Sequence, residues 1–330
     1  MIDSEVIIVG GGPAGSTCAW LLHQHGIQTM ILDKKTFPRH KLCAGWITPK
    51  VLQDLQIKKG EYPYGLVTLK RLNFHLYGMK IPVKTRQYSI RRYEFDYWLI
   101  KRAAVPVKEH MVKYIQKIND YYIIDNAFRC KYLVGAGGTN CPVYQSFFKR
   151  ANPRIQRQLI TAMEEEFKYD YSDANCHLWF FEKNLPGYSW YVPKGDGYVN
   201  VGIGGKFHTM KARGETIRTH WNYFVKKLVK LSLIRDHSFS PRGYNYYLRQ
   251  NIASGQMDNA FIIGDAVGLA TIDMGEGIGP SVESGILAAR SIISGEKYPL
   301  ESVIKYSFPH ILLPRWKILF SQFPKWLIRF

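Results

Sequence analysis

Cys43 stands in the segment Pro38-Arg39-His40-Lys41-Leu42-Cys43-Ala44-Gly45, where three basic residues, a thiol and a glycine fall within eight positions. A thiol is a weak acid that cationic neighbours can tune, whereas a buried cysteine can equally serve as a small hydrophobe. Upstream lies a second chemical pattern, Gly10-Gly11-Gly12-Pro13-Ala14-Gly15, with Asp33 about twenty residues further on. In a strand-turn-helix-strand context that spacing reads as a dinucleotide site. Gly10 permits a tight turn, Gly12 lets backbone approach a pyrophosphate, and Gly15 lets helix and strand pack closely. Pro13 and Ala14 open a helix whose N-terminus offers unpaired N–H groups and a positive dipole end, and Asp33 suits ribose hydroxyls. Ser16 and Thr17 follow Gly15, which excludes the Lys-Ser/Thr ending of a phosphate loop. A chain leaving the adenosine end through Lys34 and Lys41 would carry Cys43, Ala44 and Gly45 toward the reactive end of the cofactor.

Further candidates lie downstream. Arg91 or Arg92 begins a helical period marked by Phe95, Trp98, Leu99 and Arg102. Gly137 belongs to a glycine run, Gly135 to Gly138, that follows a buried strand; a plain turn explains that run as well as a cofactor contact does. Tyr188, Trp190 and Val192 alternate on one strand, Asp196-Gly197 turns, and Val199, Val201 and Ile203 return. This Tyr/Trp-faced hairpin reads as the floor of an apolar pocket or as ordinary sheet packing. Gly264 and Asp265 end a strand at Ala260 to Ile263, where the acid binds hydroxyls or caps the turn. Gly275, Glu276, Gly277 and Ile278 lead into a long helix whose N-terminus can stabilise negative charge.

The elements that must position these residues fit within 330 residues, enough for one large or two interleaved domains. No run of eighteen apolar residues suits a membrane span, and no charged-then-apolar leader precedes the first strand. Five cysteines without paired spacing point to reduced thiols in the cytosol, and the histidines show no metal-ligand spacing. The net charge of +19 invites an anionic partner. No nucleic-acid module is visible. The basic residues concentrate in Lys206 to Arg249 and in the tail from Ser302, where Lys305, Arg315, Lys317, Lys325 and Arg329 interleave with Trp316, Phe320, Phe323, Trp326 and Phe330. That tail suits peripheral contact with the inner face of a membrane, or a helix packed on the body.

With these motifs in place the chain resembles the FAD-dependent geranylgeranyl reductases, within the flavoproteins shaped like para-hydroxybenzoate hydroxylase. The resemblance runs from Ile2 to about Ile293 and rests on GGGPAG with Asp33, PRHKLCAG, RRYEFD (Arg91 to Asp96), the Tyr188-x-Trp190 stretch, and Gly264 to Ile278. Gly137 departs from it, standing where the family usually has an acid. The resemblance implies an α/β fold, with a Rossmann-like FAD-binding domain of glutathione-reductase type interleaved with a β-sheet substrate domain. The FAD-binding part is expected at 1–63, 88–160 and 248–296, the substrate sheet at 64–87 and 161–247, and a basic aromatic tail at 297–330.

FAD is the cofactor the resemblance implies. Gly10, Gly12, Gly15 and Asp33 then bind its ADP half, Arg92 and Asp265 its pyrophosphate and ribityl region, and Gly275 to Ile278 the ring edge. Cys43 and Gly45 lie near the reacting face, and Tyr188 with Trp190 line a prenyl tunnel. Cys43 or Glu276 is the expected proton donor, with water as a competitor. The expected reaction reduces a polyprenyl C=C bond with hydride from reduced flavin. Electrons come from NAD(P)H or from an acidic ferredoxin or flavodoxin drawn to the basic surface. A flavin monooxygenase and an electron-transfer flavoprotein serving quinone are the alternatives.

Overall fold

The computed structural model describes residues 1–311. Two eight-stranded sheets organise it. In the first, Ile2–Val9 pairs in parallel with Thr29–Asp33 on one side and Phe128–Gly135 on the other. Val107–Glu109 extends one edge and Ala260–Ile262 the other, both in parallel. Parallel strands covered on both faces need apolar side chains throughout, and Val6, Ile7, Ile8, Ile31, Leu32, Leu133 and Val134 are accordingly buried. Helix Pro13–Gln24 packs between Arg92–Ala103 and Ile278–Ser294 on this sheet.

The second sheet runs Arg242–Tyr247, Leu159–Lys168, Tyr198–Lys206, Gly187–Pro193, Cys176–Phe180, Val67–Leu76, Met79–Ser89, Trp46–Ile47. Alternation gives its strands two faces. On one, Tyr191, Val201 and Ile203 pack under Trp221, Phe224 and Leu228 of helix Ile217–Lys230. On the other, Phe74, Leu178, Trp190 and Val192 meet Met274 from the loop before helix Ile278–Ser294. Trp46–Ile47 pairs with Tyr88 and Ser89, so the Cys43 segment runs directly into this sheet.

Several elements depart from expectation. The basic stretch read as sheet contains the helices Phe207–Ala212 and Ile217–Lys230. Trp221, Phe224 and Leu228 recur at helical spacing there, a signal outweighed by the density of Lys and Arg around it. Val107–Glu109 is an unexpected edge strand, every residue exposed, so burial left no pattern to read. The strand expected over Met111 to Ile118 shrinks to Ile115–Ile118. Of the tail, Arg315, Trp316, Lys317, Phe320, Phe323, Lys325, Trp326, Arg329 and Phe330 lie outside the described residues. Among the described residues no helix is long and apolar enough to cross a membrane.

Candidate active site

The glycine turn is pressed against the end of a neighbouring strand. Gly10 has φ +113°, and a Cβ there would lie 2.4 Å from the Ala136 carbonyl oxygen, so only glycine fits. Gly137, the next residue, belongs to this supporting loop, with Cys141 packed against it and buried. Burial raises the Cys141 thiol pKa, which suits packing rather than chemistry. No side chain caps helix Pro13–Gln24 at Gly12, and a Cβ there would meet only the Arg39 guanidinium, at 3.7 Å. An uncapped helix N-terminus facing open space beside a cation is a place for phosphate. Asp33 is fixed next to it: one oxygen accepts from Gly11 N at 2.7 Å and the other from Lys35 N at 3.0 Å. Lys34 is exposed to solvent.

Two arginines share one carboxylate here. Arg92 is buried and grips Asp96 with both arms of its fork, at 2.6 and 2.8 Å. Arg39 stands 3.4 Å from Asp96 and 4.0 Å from Asp33. The sequence expectation named Arg92 and overlooked Arg39, whose partners lie on two other elements. The Arg92 guanidinium also faces the Cys43 thiol.

The Cys43-Ala44-Gly45 segment is held by three polar side chains of the second sheet. Glu164 Oε1 accepts from Cys43 N at 2.5 Å, and Asn200 Nδ2 donates to the Cys43 carbonyl at 3.4 Å. Lys194 Nζ donates to the Ala44 carbonyl and, at 2.8 Å, to that of Ile90. Trp190 joins the set by donating Nε1–H to Asn200 Oδ1 at 2.7 Å. Glu164 is 2% exposed, and its Oε2 is buried without a protein partner. A lone buried carboxylate is costly, and burial raises the Glu164 pKa to about 7. Lys194 is wholly buried, which lowers its pKa against the pull of Glu166, Cys43 and Glu164. Lys41 is exposed, its ammonium 5.6 Å from the Tyr244 ring.

Next to this clamp lies a cavity of about 300 Å³ lined by Phe180, Phe181, Tyr188, Trp190, Tyr246 and Met274 among others. Across the sheet from Tyr188 and Trp190 stand Gly204 and Gly202, which leave room for the rings. A Cβ on Gly202 would come 2.2 Å from the indole. Tyr188 ties this wall to the glycine loop by donating its hydroxyl to the Met274 carbonyl at 2.6 Å. Beyond, Gly275 adopts φ +61° beneath Tyr246, and helix Ile278–Ser294 begins at Gly277 without a side-chain cap at that residue. Asp265, in the single turn Gly264–Ala266, lies 3.4 Å from where a Gly277 Cβ would stand. Gly264 is anchored by Ser284, and Ile278 is buried.

The structure thus gathers Cys43 and Trp190 through Asn200, and Asp265 with Gly277. It sets Glu276 apart. That carboxyl accepts from Gly279 N at 2.5 Å and from Ser307 Oγ at 3.2 Å, binding the first turn of the helix rather than lining the cavity. Burial raises its pKa to about 7 as well. The Lys206 to Arg249 segment, expected to dock an electron donor, places its helix Ile217–Lys230 on the sheet face turned away from Trp190. Glu164, Lys194 and Asn200 were missed. Alternation along Ala162, Glu164 and Glu166 was the available signal, since it puts two acids on the inner face of one strand.

Comparison with known proteins starts at the glycine turn, where residues 3–55 match the family described as FAD binding domain. A protein of Methanosarcina barkeri whose name assigns no function is 32% identical over 315 residues, covering 89% of this chain and 75% of its own. Digeranylgeranylglycerophospholipid reductase 2 of Methanosphaera stadtmanae is 25% identical, covering 94% and 84%. Among solved structures, a geranylgeranyl bacteriochlorophyll reductase-like protein of Thermoplasma acidophilum superposes with a TM-score of 0.77 at 20% identity, over 98% of this chain and 84% of that one. The chain belongs to one family with the Methanosarcina barkeri protein and is a geranylgeranyl reductase-like FAD-dependent oxidoreductase. FAD is its cofactor, and the residues present fit it. The open Gly12 cradle, the two cations at Asp96 and the fixed Asp33 carboxylate match the chemistry of an adenine dinucleotide.

Proposed function

We propose that the enzyme reduces carbon–carbon double bonds in the polyprenyl chain of a geranylgeranyl-type lipid. The observation that carries this reading is the aromatic cavity walled by Tyr188 and Trp190, hydrogen-bonded through Asn200 to the Cys43 loop. An apolar chain gains by leaving water for such a cavity, and its position is then set by the ring faces.

In this reading Gly10, Gly12, Pro13, Ala14, Gly15 and Asp33 hold the ADP half of FAD, and Arg39, Arg92 and Asp265 attend its pyrophosphate and ribityl region. Cys43 to Gly45 and Gly275 to Ile278 would hold the flavin ring, the latter at the start of helix Ile278–Ser294, whose first turn Glu276 caps. FAD, once reduced, supplies the hydride. The chain's own residues do the rest. Glu164, Asn200 and Lys194 keep the Cys43 loop in one conformation. Tyr188 and Trp190 exclude water, which an unactivated alkene requires. Burial raises the Glu164 pKa to about 7 against the pull of Cys43 N, Lys194 and Asn200, so the carboxyl carries a proton below that pH.

The test is anaerobic. The purified flavoprotein is reduced with dithionite, freed of excess reductant and mixed with a geranylgeranyl lipid. Flavin reoxidation together with a gain of two hydrogens in the lipid is the expected result. Flavin that stays reduced until oxygen or a quinone is admitted would sink the reading in favour of a monooxygenase or an electron-transfer flavoprotein. In the same assay, NAD(P)H and an acidic ferredoxin or flavodoxin are compared as electron donors.

A further inference from the structure

The sheet face turned away from Cys43 bears a second cavity, of about 450 Å³, with Phe180, Leu185, Ile203 and Phe224 in its wall. Tyr77, Lys183, Tyr223 and Lys227 also line it. Tyr77 is 81% exposed at the turn between strands Val67–Leu76 and Met79–Ser89, and Tyr223 is 52% exposed on helix Ile217–Lys230. Spacing along that helix puts Tyr223, Lys226, Lys227 and Lys230 on one stripe. On the adjoining hairpin Lys80, Lys84 and Arg86 alternate on one exposed face. The two cationic sets converge on His75, whose pKa falls to about 4 through burial and the nearby His177, Lys80 and Lys227. Glu182, already paired with Lys227, is the acid among the residues lining this cavity.

Exposed tyrosines among lysines, over an apolar floor, match the layered chemistry of a lipid surface: rings at the headgroup level, ammonium groups on phosphates.

We propose that this face docks the protein on an anionic bilayer, with Tyr77 and Tyr223 in the headgroup layer and Lys80, Lys226 and Lys230 on lipid phosphates. Phe180 and Phe181 line both this cavity and the one beside Trp190. A chain drawn from the bilayer would therefore have a short path to the site, a step that rests on the prenyl reading as the docking itself does not.

The test uses the full-length, FAD-loaded protein and flotation with vesicles of phosphatidylcholine alone or mixed with phosphatidylglycerol. The protein should float with the anionic vesicles and less so as salt rises. At about fivefold per lysine charge removed, K80Q/K226Q/K230Q should lower partitioning on the order of a hundredfold, with FAD content unchanged. Y77S/Y223S should weaken binding at every salt concentration. The proposal is overturned if wild type stays with the bulk, if the triple variant floats like wild type, or if removing residues after Ile311 abolishes binding while the surface variants do not.

Discussion

Glu164 ties the Cys43 loop to the second sheet: its Oε1 accepts from Cys43 N, and its Oε2 is shielded from water. Glu164→Gln keeps an oxygen acceptor for Cys43 N and removes the acidic proton. Lipid reduction in a single turnover should then fall by about a hundredfold or more, the usual scale for a lost general acid, with FAD content unchanged. The wild-type rate should decline as pH rises through about 7, and the variant's low rate should be flat across that range. Cys43→Ala should cost less than about tenfold, because it leaves the carboxyl in place; a larger loss than in Glu164→Gln would return the proton to the thiol. The turn at Gly10 to Gly15 and the acid at Asp33 were legible in sequence because their spacing is local. Glu164 was not, since it acts on a loop 121 positions away and a strand sequence does not name its distant partner.

At the scale of elements, the Gly187–Pro193 and Tyr198–Lys206 strands work by contrast of size. Trp190 reaches across Gly202, and its N–H orders Asn200, which orders the Cys43 carbonyl. Gly202→Ala would push the indole out of that position and break the relay. We expect a loss of about 1–3 kcal/mol in stability, typical of overpacking, together with a shift in tryptophan fluorescence and a higher KM for lipid. Gly60→Ala is the control, since a Cβ there meets nothing within 4 Å; equal effects at both positions would remove the relay. The alternation of Tyr188 and Trp190 was readable, as was the parallel core built on Ile2–Val9. The helices Phe207–Ala212 and Ile217–Lys230 were overlooked because the segment around them, Lys206 to Arg249, is densely basic and masks their apolar spacing. Which face they cover depends on long-range packing that no local window contains.

For the whole molecule, two buried carboxyls, raised furthest among the acids, are a liability for the fold. Glu164 and Glu276 have ordinary pKa values near 4.5 and are moved to about 7 by burial. Below pH 4.5 both are neutral whether folded or unfolded and contribute nothing adverse. Between pH 4.5 and 7 the unfolded chain releases their protons while the folded chain retains them, so the folded state loses ground as pH rises and recovers none above 7. His75 and Asp173, with lowered pKa values, act in the opposite sense on acidification, so the wild-type pH profile alone does not isolate the carboxyls. The difference between wild type and Glu164→Gln does. Denaturant unfolding at pH 4.5 and pH 8 should show the variant gaining on wild type by about 2–3 kcal/mol over that interval, and Glu276→Gln should gain similarly. Equal differences at both pH values would mean that Glu164 is ionised in the folded protein, and the proton supply would have to be sought elsewhere. A gain in stability paired with lost turnover is the pattern of a buried acid retained for its chemistry.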